Sequence, residues 1–242
     1  RKWGMMFQRV LSRLILVLVI GLLWGSTLPG VVAAQENDVE PVTAEDYFNR
    51  GFAHAENEDY EQAIADFDRA IELNPDLVFA YVNRGNAYTA LGEYEQAIAN
   101  HDQALALDSD DALVYNNRGL AYAKMGDYAR ALKDYDQALA LDPELAIAYV
   151  NRGNAYTDIL DYEQALEDCN QAITLEPNLA SAYNGRGRAY GNRGAATDDP
   201  NDYLQAIADF SRAIVLDPEF TPAYTNRGDA YSDLGQYERA LA

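Results

Sequence analysis

Glycines at 51, 85, 119, 153, 187 and 228 divide the chain into steps of 34, 34, 34, 34 and 41 residues. Self-similarity at such a period means one supersecondary unit stacked many times, because a single unit of that size cannot bury its own apolar face. The triplet "NRG" recurs at Asn49–Gly51, Asn83–Gly85, Asn117–Gly119, Asn151–Gly153 and Asn226–Gly228, with "GRG" at Gly185–Gly187. The decamer "AYVNRGNAYT" stands at both Ala80–Thr89 and Ala148–Thr157, two periods apart.

Each period carries two helical patterns. Over Tyr94–Leu107, the residues Tyr94, Ala97, Ile98, His101, Ala104 and Leu105 share one amphipathic face. Before it, Tyr81, Gly85 and Tyr88 form a stripe that Gly92 ends. Asn74-Pro75, Asp142-Pro143 and Asp217-Pro218 separate periods, since proline suits a first turn and not an interior. The unit is a helix–turn–helix hairpin. A glycine inside a helix costs about 1 kcal/mol relative to alanine. Its recurrence predicts a close approach of the paired helix, with small residues such as Ala97 expected opposite Gly85.

In these features the chain resembles the tetratricopeptide repeat family. The family's run of aromatic, glycine, tyrosine, turn glycine, tyrosine, alanine, aromatic, alanine and proline reads here as Tyr115, Gly119, Tyr122, Gly126, Tyr128, Ala131, Tyr135, Ala138 and Pro143. His54, His101, Cys169 and Ser109 depart from that pattern. The resemblance implies an all-α, right-handed solenoid. Its repeats fall at 44–77, 78–111, 112–145, 146–179, 180–220 and 221–242, the sixth being incomplete. The chain stops at Ala242 within a second helix and does not begin with methionine, although Met5 or Met6 could serve as the start, so an incomplete chain is expected. Seven additional residues within Gly194–Tyr203 predict an insertion projecting from the edge of the fifth repeat.

Residues 1–34 lie outside the repeats. Four basic residues precede the apolar run Leu14–Trp24, and Val32-Ala33-Ala34 closes the segment, the layout of a secretory signal peptide cleaved after Ala34. The alternative is a retained anchor, and only then would a membrane be a partner. Residues 35–43 link this segment to the repeats. An exported, periplasmic or extracellular protein follows. Without residues 1–34 there are 14 Lys and Arg against 39 Asp and Glu, a formal charge of −25. That balance opposes nucleic acid, whose binding needs clustered cations, and favours a neutral or basic protein partner. Cys169 is the single cysteine, so packing alone must hold the fold.

Two columns of polar residues follow the period. Arg50, Arg84, Arg118, Arg152, Arg186 and Arg227 share one position, and Asp66, Asp134, Asp168 and Asp209 recur on the facing helix with Asn100 among them. These are expected to form partly buried Arg–Asp pairs within each hairpin; the competing reading is a row of arginines for an anionic ligand. Beside the arginines stand Asn49, Asn83, Asn117, Asn151 and Asn226, with Asn86 and Asn154 near the same face. In the family, an asparagine at the matching position lines the inner groove and bonds an extended peptide's main chain, and the resemblance implies that role here. All 18 tyrosines fall on repeat positions, where packing is their expected role. The family's lysine-rich clamp for acidic tails is absent, Lys124 and Lys133 being the only lysines after residue 34.

No nucleophile–base pair, phosphate-cradling loop or metal-ligand spacing is present. "DSDD" (Asp108–Asp111) and "TDDPND" (Thr197–Asp202) lack the spacing of a calcium loop and read as solvated turns. The expectation is a non-enzymatic interaction scaffold without cofactors. The alternative is the recognition region of a larger exported enzyme or envelope assembly factor.

Overall fold

The computed structural model describes residues 43–240, so the leader and anchor expectations lie outside the described residues. Twelve helices follow one another with no strand among the described residues. They pair into hairpins: α1 (Ala44–Glu56) with α2 (Tyr60–Leu73), α3 (Val78–Ala90) with α4 (Tyr94–Leu107), and α5 (Ala112–Lys124) with α6 (Tyr128–Leu141). The series continues with α7 (Ala146–Asp158) and α8 (Tyr162–Leu175), α9 (Ala180–Thr197) and α10 (Pro200–Leu216), and α11 (Thr221–Asp233) with the short α12 (Tyr237–Ala240).

Turn chemistry fixes the hairpin angle. Gly92, Gly126 and Gly235 adopt φ of 79°, 82° and 71° just past their first helices, a left-handed conformation that glycine enters without steric cost. Glu58 and Leu160 take the same conformation with a side chain attached. Second helices start at acidic caps: Asp127, Asp161 and Asp199 accept hydrogen bonds from Arg130, Gln164 and Asn201 backbone N–H groups.

Each first helix packs on its own second helix, on the second helix of the preceding hairpin and on the first helices beside it. Second helices touch no other second helix among the described residues. The first helices are therefore the closer-spaced row, and the stack curves with them on its inner side. The result is an all-α solenoid.

The core is a repeated set of small residues closed by one large side chain per hairpin. Ala63, Ala97, Ala131, Ala165 and Ala206 are fully buried on successive second helices. Phe67, His101, Tyr135, Cys169 and Phe210 share the next buried position. The mid-helix glycines face this second column. A Cβ on Gly119 would sit 2.8 Å from Tyr135 Cε1 and 3.2 Å from the Ala131 carbonyl oxygen. Nearest to Gly85 is the His101 ring, 2.7 Å from where a Cβ would be.

The fifth repeat corrects the expectation of a projecting loop. Its additional residues project no loop; they lengthen both helices, α9 to 18 residues and α10 to 17, against 13 and 14 in the preceding hairpin. Asp198 turns the chain in the left-handed region at φ 56°, and Pro200 opens α10. Arg193 donates to both oxygens of buried Asp202 at 2.8 and 2.7 Å, tying the extended ends together.

Candidate functional site

The arginine column lies between hairpins. Arg118 donates from Nε and Nη2 to Asp134 at 2.7 and 2.8 Å and from Nη1 to Asp102 at 2.6 Å. Asp134 is on the second helix of its own hairpin; Asp102 is on that of the hairpin before. Arg152 repeats the arrangement with Asp168 and Asp136, and Arg186 with Asp209 and Asn170. Arg84 donates to Asn100 at 2.7 Å and reaches back to Asp68, and Arg50 donates to Asp66 at 2.8 and 2.6 Å. The forks of Arg84, Arg118, Arg152 and Arg186 thus each bridge two second helices that do not otherwise pack together. Arg227 differs. Among the described residues it makes no ion pair and donates to the Ser211 hydroxyl at 3.4 Å, so it belongs to no Arg–Asp pair there.

Electrostatics reinforce the bridge. The bonds to Asp134, ahead of every other contribution, hold the Arg118 guanidinium charged beyond the ordinary arginine range, and Asp168 does the same for Arg152. Each arginine also sits over the tyrosine three residues earlier, the Arg118 carbon 5.4 Å from the Tyr115 ring centre and Arg152 5.5 Å from Tyr149. These tyrosines are partly buried: they pack against the core cluster around Ala138, Leu139 and Ala148 while their ring faces meet the arginines. The backward partners were missed in the sequence, although the doublets Asp66/Asp68 and Asp134/Asp136 carry the signal: one carboxylate for the hairpin's own arginine, one for the next.

The asparagines occupy the inner row. Asn151 donates to Asn116 at 2.9 Å, Asn116 to Asn117 at 3.2 Å, and Asn117 to Asn86 at 3.1 Å, a continuous amide relay over α3, α5 and α7. Further along, Asn226 donates to Asn184 at 2.9 Å. Asn154 accepts from Arg188 Nη1 at 2.9 Å, and the same guanidinium reaches Asp158 at 2.8 Å. Asn83 bonds the Phe79 carbonyl of its own helix at 2.8 Å, and Asn49 has no side-chain partner among the described residues. Asn116, Asn184 and Arg188 are the members that sequence reasoning missed, since they fall at positions held elsewhere by valine, leucine or asparagine.

Two of those positions fall within the duplicated decamer. In α3 and α7 the receiving amide is the one after glycine, Asn86 or Asn154, with Val82 or Val150 earlier. In α5 and α9 it is the one before, Asn116 or Asn184, with Leu120 or Arg188 later. From α3 to α9 successive first helices alternate between these two arrangements, and α3 and α7, two periods apart, share the same one.

Each linked amide keeps unused capacity. A side-chain amide has two N–H groups and an oxygen with two lone pairs. Asn86 and Asn154 have their oxygens engaged, and neither donates a side-chain bond to another described residue. Among the described residues no group of His, Cys, Asp and Glu is arranged to hold a metal ion, and no helix is long and apolar enough to cross a membrane.

Family patterns described as tetratricopeptide repeat match residues 44–77, 112–145 and 146–179, and 67–99 and 210–242, while one described as TPR repeat matches 85–126. Together they span more than half of the chain. The protein belongs to the tetratricopeptide repeat family. No curated protein matches it in sequence. Among solved structures, this tetratricopeptide repeat chain is similar to PilW, described as a widely conserved type IV pilus biogenesis factor, at 20% identity and a TM-score of 0.70, covering 82% of this chain and 89% of that one. A tetratricopeptide repeat protein from Parabacteroides merdae ATCC 43184 matches at 22% identity and a TM-score of 0.63, covering 82% and 76%. YrrB, described as a TPR protein with an unusual peptide-binding site, matches at 22% identity and 0.53, covering 74% and 89%. At such identities the likeness establishes the fold.

Proposed function

We propose that the protein is an interaction scaffold that holds an extended segment of another protein along the inner face of its first helices. The observation that carries this reading is the amide relay from Asn151 through Asn116 and Asn117 to Asn86. Side chains already ordered by their neighbours lose little entropy on binding. Their remaining N–H groups suit main-chain carbonyls, which every peptide offers, so capture would tolerate many sequences. The arginines are engaged within the scaffold, leaving the amides to meet the ligand. YrrB's description as a peptide-binding TPR protein is consistent with this use of the fold.

The acidic surface favours a neutral or basic partner, with attraction that weakens as salt rises. The leader sequence further places the scaffold outside the cytoplasm in this reading. Photo-crosslinking from positions flanking Asn86 would identify the bound segment, and titration of that peptide would measure its affinity. Replacing Asn83, Asn117 and Asn151 together by alanine should weaken binding about tenfold or more, at about 1 kcal/mol per lost hydrogen bond. Unchanged affinity in a folded triple variant would place the ligand elsewhere.

A further inference from the structure

The second hairpin differs from its neighbours at two adjacent positions. His101 stands in the column of Phe67, Tyr135, Cys169 and Phe210, fully buried, and neither ring nitrogen has a hydrogen-bond partner. Its ring atoms lie 2.7 to 3.0 Å from where a Cβ on Gly85 would be, so the site is sealed against the first helix. One residue earlier, the carboxylate present as Asp66, Asp134, Asp168 and Asp209 is replaced by Asn100. Among the five hairpins described in full, the one with a histidine in its core is also the one without a buried carboxylate beside it.

Among the described residues, α3 and α5 are the helices that pack against α4. Their charged groups are Arg84 on α3, and Arg118 and exposed Lys124 on α5; Tyr81, Tyr88, Tyr115 and Tyr122 are neutral. On α4 itself Tyr94 is neutral, Glu95 is exposed, and Asp102 is exposed and already bonded to Arg118. Asp68 is likewise committed to Arg84.

We propose that the hairpin Val78–Leu107 is an acid-sensitive element of the solenoid, opening when His101 takes up a proton. An imidazolium there would have two N–H donors and no acceptor, with cationic Arg118 on the adjoining helix. Burial first, and Arg118 second, lower the His101 pKa from 6.5 to about 4. Because the folded pKa lies below the unfolded one, the hairpin has its full stability above pH 6.5 and loses it as pH falls toward 4. His54 has different surroundings: it is partly exposed on α1, with Nε2 3.7 Å from Asp66 Oδ2.

Hairpins in a solenoid contact only their neighbours, so an interior one that opens uncouples those on either side. Opening would also remove Asn86 from its bond with Asn117 and interrupt the inner row. That consequence for a ligand rests on the groove reading above; the loss of stability does not.

The test is hydrogen exchange followed by mass spectrometry on the full chain at pH 7 and pH 5, corrected for intrinsic exchange rates. Wild-type protein should lose protection over 78–107 by roughly 20-fold between the two pH values, beyond any change over 146–216. In His101→Phe, which installs the residue found at Phe67 and Phe210, that excess should vanish, and His101→Tyr, matching Tyr135, serves as the second variant. An equal loss in wild type and either folded variant, or a wild-type loss spread evenly over the hairpins, would overturn the proposal. If neither variant folds, the regional pattern in wild type decides in the same way. Weak peptide capture at pH 7 would count against the groove and leave this result untouched.

Discussion

Removing the Asp134 carboxylate distinguishes an arginine held by the scaffold from one available to a ligand. Asp134 is buried and accepts two bonds from Arg118, whereas Asp102, the same arginine's third contact, is half-exposed. Truncating one partner of a buried pair costs about 3–5 kcal/mol because the other charge is left uncompensated. Arg118 keeps Asp102 and some solvent, so Asp134→Ala is expected at the lower end, about 3 kcal/mol. Asp102→Ala should cost about 0–1 kcal/mol, as exposed pairs do. Asp134→Asn should fall between, about 1–2 kcal/mol, since an amide oxygen still accepts, as Asn100 does from Arg84 at 2.7 Å. Urea denaturation followed by far-UV circular dichroism measures all three. Because solenoids depart from two-state behaviour, the slopes must be compared along with the midpoints. A double-mutant cycle with Arg118→Ala isolates the coupling. Equal effects of Asp134→Ala and Asp102→Ala, or both within about 0.5 kcal/mol of wild type, would refute the clamp and return the arginines to the list of ligand contacts.

Two further outcomes follow from local geometry. Gly119→Leu should destabilise by about 3 kcal/mol in thermal melts, because its Cβ would lie 2.8 Å from Tyr135 and 3.2 Å from a carbonyl that cannot rotate away, outweighing the roughly 1 kcal/mol helix-propensity gain; an unchanged melting curve would show that the helices can separate at no cost. Leu160→Gly should stabilise by about 1 kcal/mol, since Leu160 is exposed with φ 68° at a turn where Gly92, Gly126 and Gly235 stand elsewhere; a loss of stability would mean that the leucine has a contact worth more than its backbone strain.

Much of the fold was legible in the chain because helical hairpins are encoded locally. The apolar spacing of Tyr94–Leu107, the turn at Gly92 and the 34-residue step each depend on residues close together in sequence. The recurrence of Arg118 with Asp134 was equally visible, both belonging to one hairpin. Tertiary structure alone decided how successive hairpins meet. It carried Arg118 back to Asp102, set the alternation of Asn86 with Asn116, and turned an expected loop after Gly194 into longer helices joined by Arg193 and Asp202. It also left both ring nitrogens of buried His101 without a hydrogen-bond partner. Such contacts depend on the rotation and offset between stacked hairpins, which arise from the packing of many side chains at once and are written in no single period.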